Sequence, residues 1–269
     1  MSDDTSAASV PLRVRRRRNP EAAMPLLEHL RELRTRLIVS AIAIALGAIV
    51  GWYFYDKLIE LLSQPWDDYR TSAAAQGTTV PELVITGIAT PFTLRLQVSA
   101  VAGLLVASPV WLVQIWRFVT PGLHTKERRW TAVFLAVSFP LLLAGVVLGY
   151  LFLPKGLSIL LGFTPAGVAN LITVTEYFTF VTRMLLVFGV AFLLPVFVVL
   201  LNAVGVLTAE RLRSWWRGIV FGVFVFAAVA TPTGDPWTML ALATPMLVLL
   251  LVAFVVAWAN DRRRAKAAG

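Results

Sequence analysis

Two carboxylates stand among arginines in this 269-residue chain. Glu32 lies in His29-Leu30-Arg31-Glu32-Leu33-Arg34, and Glu127 lies in Lys126-Glu127-Arg128-Arg129. Carboxylates so placed have two uses. They can pair with Arg31, Arg34, Arg128 or Arg129 in a solvated cluster, each pair contributing about 0–1 kcal/mol. Alternatively, two carboxylates beside a bilayer can receive an arginine pair from a partner. The planar guanidinium fork binds carboxylate oxygens two at a time, which a lysine ammonium does not. Catalytic sets are missing. There is no His-Glu-x-x-His, no Gly-x-Ser-x-Gly nucleophile and no Gly-rich phosphate loop ending in Lys. The two histidines, His29 and His124, fall outside the apolar segments, and no cysteine exists to hold a metal. Thr233-Gly234-Asp235 resembles an intramembrane aspartyl motif, but it sits in a turn between Pro232 and Pro236. No second intramembrane Asp is there to share a proton. Neither an enzyme nor a metal or cofactor is expected.

The elements that must position the two acids are membrane helices. A hydrophobic content of 58% and a mean hydropathy of +0.77 lie far outside the soluble range. Six segments approach the roughly 20 residues needed to cross a bilayer: Leu37–Tyr55, about Phe92–Trp116, Trp130–Pro154, about Tyr177–Val206, Ser214–Ala230 and Trp237–Trp258. The fifth is short. Its uninterrupted apolar part, Gly218 to Ala230, reaches only roughly 20 Å at 1.5 Å per residue, against a hydrocarbon core of about 30 Å. Glu32 precedes the first segment on a stretch whose Leu26, Leu30, Leu33 and Leu37 recur at helical spacing. Residues 25–36 therefore read as an amphipathic helix feeding the first span.

Basic residues report orientation here, so the net charge of +9 is no sign of nucleic-acid binding. The N-terminal stretch, the 117–129 loop, the 207–217 loop and the C-terminus are basic. The 56–91 stretch, read as an outer loop, carries two bases against five acids. Six helices with both termini cytoplasmic follow. Residues 1–24 form a disordered basic tail attracted to anionic lipid, 25–260 the membrane domain, and 261–269 a second basic tail. The 19-residue first span has no small-residue cleavage pattern after it, so it reads as uncleaved; Met24 is an alternative start to Met1. Pro109, Pro140, Pro195 and Pro245 are expected to kink the second, third, fourth and sixth spans. Arg95 and Arg183 sit near outer span ends, where snorkelling suits them. Asn202 is placed to bond a neighbouring helix. A secondary transporter of a small solute is the alternative reading, though no polar midplane site or inverted repeat supports it.

The motifs together resemble the TatC family, the multispanning component of the twin-arginine protein translocase. The resemblance runs from about Pro25 to Trp258. It is carried by the His29–Arg34 stretch, Gln64-Pro65, Thr90-Pro91-Phe92, Ser108-Pro109-Val110 and Gln114-Ile115-Trp116-Arg117-Phe118. Pro121-Gly122-Leu123, Lys126-Glu127-Arg128-Arg129, Phe188-Gly189-Val190-Ala191-Phe192, Pro195, Thr231-Pro232-Thr233-Gly234-Asp235 and Pro245 complete it. It implies an all-α, kinked, concave, glove-like bundle with short fifth and sixth helices, in a bacterial cytoplasmic membrane. By the same resemblance, the protein binds signal peptides bearing consecutive arginines and exports folded cargo on the proton-motive force. Its partners would be single-span TatA/TatB-type subunits, with several copies in a larger complex. The family's signal-binding positions fall on Glu32 and Glu127, flanked by Leu33, Arg34, Phe118 and Arg129. Pro65, Phe92 and Asp235 match outer-face functional positions. One departure stands out. Where the family commonly has Phe-Glu-x-Pro in its fourth span, this chain has Phe192-Leu193-Leu194-Pro195.

Overall fold

A computed structural model describes residues 26–75, 80–119, 127–165, 168, 170–231 and 235–268, so the expected 1–24 tail lies outside it. The first apolar run and its amphipathic lead form one helix, α1 (Leu26–Tyr53). It lies antiparallel to α3 (Thr90–Val106), because small residues let the two backbones meet. A Cβ built on Gly47 would lie 2.7 Å from the Gly103 carbonyl oxygen, and one on Gly51 would lie 2.8 Å from that of Ser99. The spacings Gly47-x3-Gly51 and Ser99-x3-Gly103 thus form facing small-residue ridges. Gly145 does the same where α5 (Glu127–Leu161) meets the Phe188–Gly189 backbone of α6 (Val174–Ala191), and Gly149 makes room for the Phe188 side chain.

The prolines divide into two kinds. At Ala107 the second span breaks into α3 and α4 (Ser108–Val119) with a 57° bend. Pro109 has no N–H to continue the ladder, and the Trp111 indole donates to the Leu104 carbonyl across the bend at 2.9 Å. Pro195 similarly opens α7 (Leu194–Val204) after a one-turn break at Phe192-Leu193. Pro140 and Pro245 instead sit inside unbroken helices, α5 and α10 (Pro236–Ala268).

Among the described residues four helical stretches, α6 and α7 counted as one, are long and apolar enough to cross a membrane, and the bent α3/α4 pair makes a fifth candidate. The remaining apolar helix, α9 (Trp216–Ala230), has 15 residues, about 22 Å. Its shortness agrees with expectation; that of the sixth helix does not. α10 is 33 residues long, because after Trp258 the sequence continues in good helix formers, Ala, Arg and Lys, that extend the rod beyond its apolar part.

The 56–91 stretch is more ordered than a loop. Residues Tyr55–Ala75 form α2, whose buried Leu62, Trp66, Tyr69 and Ala73 recur at i, i+4, i+7 and i+11. That face packs on the start of α6, with Trp66 edge-on to Tyr177 at 5.4 Å. Beyond it, β1 (Glu82–Val84) pairs in parallel with β2 (Leu171–Thr173), Leu83 opposite Ile172. Thr173 then caps α6 in a reciprocal box with Glu176.

Pro65 lies buried inside α2. Having no N–H, it frees the Leu61 carbonyl four residues back. The Tyr150 hydroxyl donates to that oxygen at 2.8 Å, and the buried Tyr177 hydroxyl donates to the Leu62 carbonyl at 2.7 Å. Two tyrosines from the bundle thus hold α2 at its weakest point. Tyr177→Phe should cost about 0.5–1.5 kcal/mol by removing a buried hydrogen bond. Thermal unfolding in detergent would read this as a lower midpoint, with a smaller drop for the more exposed Tyr150→Phe.

Candidate functional site

Since α1 and α3 are antiparallel and α4 extends α3, the start of α1, the end of α4 and the start of α5 gather at one end of the bundle. Glu32, Leu33 and Arg34 are on the first, Phe118 on the second, Glu127 and Arg129 on the third. α4 packs on both α1 and α5, which keeps the three together. The described side chains stop at Phe118 on one side of the 120–126 connection and resume at Val133 on the other, so only the backbone places Glu127 and Arg129.

The Glu32 carboxylate is 27% exposed in the protein alone. Among the described residues its partner is neither Arg31 nor Arg34. Arg36, one turn on, donates from Nε at 3.1 Å and from Nη2, both to Oε1. Among the described residues Oε2 has no partner. This i,i+4 pair, worth about 0.3–0.5 kcal/mol on an exposed helix, holds the carboxylate in place and leaves one oxygen open to a further cation. Leu33 is half-buried and Arg34 exposed, while Leu30 and Leu37 are 56% and 59% exposed on the lipid side. Glu127 opens α5, where the helix dipole favours a negative charge.

The outer residues lie at the opposite end and do different work from one another. Pro65 is the buried break in α2 just described. Phe92, 63% exposed in the first turn of α3, sets its ring edge-on to Trp52 at 6.1 Å. Nearby, Arg95 does not run free to solvent. Its guanidinium covers Trp52 and Tyr55 at 4.7 and 4.9 Å and donates to the Trp52 carbonyl at 3.3 Å. Asp235 caps α10: Oδ1 accepts from the backbone N–H groups of Trp237 and Thr238 at 3.1 and 2.9 Å, and Oδ2 accepts from the Thr238 hydroxyl. Asp235→Ala should therefore cost about 0.5–2 kcal/mol. Asp235→Ser, another good cap, should retain most of it; equal losses in thermal midpoint would contradict a capping role.

Within the bundle, Gln97 of α3 bonds Thr179 and Thr182 of α6 at 3.2 and 3.0 Å. At the Glu32 end, Asn202 bonds the Leu207 carbonyl and Asp261 Oδ1, each at 2.9 Å, as expected for an interhelical amide. Asp261 Oδ2 in turn accepts from the Ala209 N–H at 2.7 Å and so anchors α8 (Ala209–Ser214) to α10. Leu193, where the family carries Glu, is 3% exposed in an apolar cluster with Leu112, Trp116, Phe134 and Leu142. Its neighbours in that cluster are all apolar, so a carboxylate there would meet no polar partner among them. Arg36, the tyrosine clamp and the Gln97 cluster went unnoticed in the sequence. Two of these left a legible signal: Arg36 stands at i,i+4 from Glu32, and Pro65 leaves a carbonyl needing the donor that the tyrosine clamp supplies.

A profile of the family described as "Sec-independent protein translocase protein (TatC)" matches residues 28–245. A relative from Frankia casuarinae with that same protein name is 44% identical, over 96% of this chain and 72% of its own length. Another, from Xylanimonas cellulosilytica, is 43% identical over 97% of this chain and 91% of its own. A crystal structure described as the twin-arginine translocase receptor TatC superposes with a TM-score of 0.71 at 32% identity, covering 85% of this chain and 99% of that one.

Proposed function

The chain belongs to the TatC family of Sec-independent protein translocase proteins, and from that membership we propose that it is the receptor for twin-arginine signal peptides. It is a multi-pass membrane subunit of a protein-transport machine, and the family is not a catalytic one. The observation that carries the receptor reading is the gathering of Glu32, Phe118 and Glu127 at one end of the bundle, with Glu32 held by one arginine and, among the described residues, open at Oε2. Glu32 and Glu127 receive the arginine pair. Leu33, Arg34, Phe118 and Arg129 flank it and exclude water, and the reduced dielectric beside the bilayer strengthens the contact. The apolar part of the signal then lies along the bundle.

In this reading the bundle crosses the bacterial cytoplasmic membrane six times, with both termini and the two carboxylates on the cytoplasmic side. The basic tails lie against anionic lipid there. Single-span TatA/TatB-type subunits dock on α9. Gly218 and Gly222, a small-x3-small pair like those joining α1 and α3, have nothing within 4 Å of a built Cβ. Phe221 and Val229 beside them are 71% and 82% exposed. Several copies act in one complex, and the proton-motive force drives export.

Complementation tests this. In a bacterium lacking its own TatC-type subunit, this chain with its single-span partners should restore export of a folded reporter bearing a twin-arginine signal. A protonophore should stop that export, and a twin-lysine signal should not support it. Export indifferent to the arginine pair would sink the reading.

A further inference from the structure

At the end of the bundle that carries Asn202 and Asp261, α8 and the start of α9 meet α7 and α10. Between them is a cavity of about 800 Å³, near the top of the roughly 300–1,000 Å³ range of small-molecule sites. Its walls are almost wholly apolar, with Leu212, Ile219, Leu250 and Phe254 among them. Arg211 and Arg213 also line it. Among the described residues neither arginine has an acidic partner; Arg211 makes one 3.4 Å bond, to the Val206 carbonyl. Trp215 and Trp216, 74% and 56% exposed, flank the opening. Tryptophans so exposed mark the level of lipid headgroups.

We propose that this cavity holds one anionic diacyl phospholipid, its phosphate on Arg211 and Arg213 and its acyl chains along Leu250 and Phe254. Three observations select that occupant. Its almost wholly apolar walls give water few hydrogen-bond partners, so in a membrane hydrocarbon fills it. Two cations at its rim without carboxylate partners call for an anion, which an apolar helix of a partner does not bring. The 15-residue α9 is also too short to span the core alone, and a lipid fixed at its start fills the depth it leaves. The inference rests on the chain being a membrane protein and not on signal recognition.

Native mass spectrometry of the detergent-purified protein tests it, with an equimolar mixture of phosphatidylglycerol and phosphatidylcholine of matched chains. The first retained lipid should be phosphatidylglycerol by roughly tenfold, given two arginine contacts. Arg211→Gln with Arg213→Gln should erase that preference. Arg262→Gln with Arg263→Gln, a basic pair outside the cavity, should leave it intact. Leu250→Trp, which fills the cavity, should reduce retention of both lipids. If the double variant fails to fold, Arg213→Gln alone should weaken the preference, since that side chain is exposed and makes no hydrogen bond among the described residues. Equal retention of the two lipids would overturn the proposal, as would a preference unmoved by the arginine variants or lost equally in the control pair. Retention unaffected by Leu250→Trp would place the chains elsewhere and overturn it too.

Discussion

Glu127→Lys is expected to abolish twin-arginine peptide binding while leaving the bundle folded. Removing one partner from a desolvated charge pair costs about 3–5 kcal/mol, and reversing its sign adds repulsion. The dissociation constant should therefore rise by at least about 100-fold. The fold should tolerate the change, because Glu127 is the first residue of α5 and a cation there forfeits only about 0.3–1 kcal/mol of dipole interaction. Peptide titration and size-exclusion chromatography of the same preparation separate the two effects. A monodisperse Glu127→Lys protein that binds normally would remove Glu127 from the site.

Gly103→Leu should have the largest structural effect. A Cβ at Gly103 would come within 2.7 Å of the Ile44 carbonyl oxygen, and a backbone atom cannot rotate away. Even Gly103→Ala must push α1 and α3 apart, at about 1–3 kcal/mol. The larger side chain should leave little monodisperse protein after extraction. Gly222→Leu supplies the contrast, since its Cβ would meet open space. That protein should fold normally and lose crosslinks between α9 and the single-span partners. If Gly103→Leu extracts as well as the parent, the close α1–α3 approach is not what holds the bundle.

Apolar run length was enough to find four or five of the stretches long and apolar enough to cross, because burying backbone in lipid demands long uninterrupted helices. It was not enough for α2. Asp, Glu and Lys dilute that helix's mean hydropathy, and Pro65 argues against any helix there, so only the Leu62, Trp66, Tyr69 spacing reveals it. The length of α10 was missed for the converse reason: the helix outlasts its apolar part, and basic residues read as a tail. At the site, sequence located both carboxylates but not Arg36 as the partner of Glu32. Arg36 lies one turn beyond Glu32 inside the helix expected over residues 25–36, so the pair was legible at i,i+4 spacing. Asp235 was legible as a turn residue, while its bonds to two backbone N–H groups needed coordinates.

The central claim is that the arginine pair of a signal peptide is read by Glu32 and Glu127. Photo-crosslinking in membrane vesicles tests it most directly, using a twin-arginine peptide, its twin-lysine counterpart, and the Glu32→Ala and Glu127→Ala variants. The account predicts a crosslink that disappears with twin lysine and with either variant, since the lysine ammonium lacks the bidentate fork. A crosslink of equal strength in all four arms would leave the membrane bundle standing and contradict the receptor site.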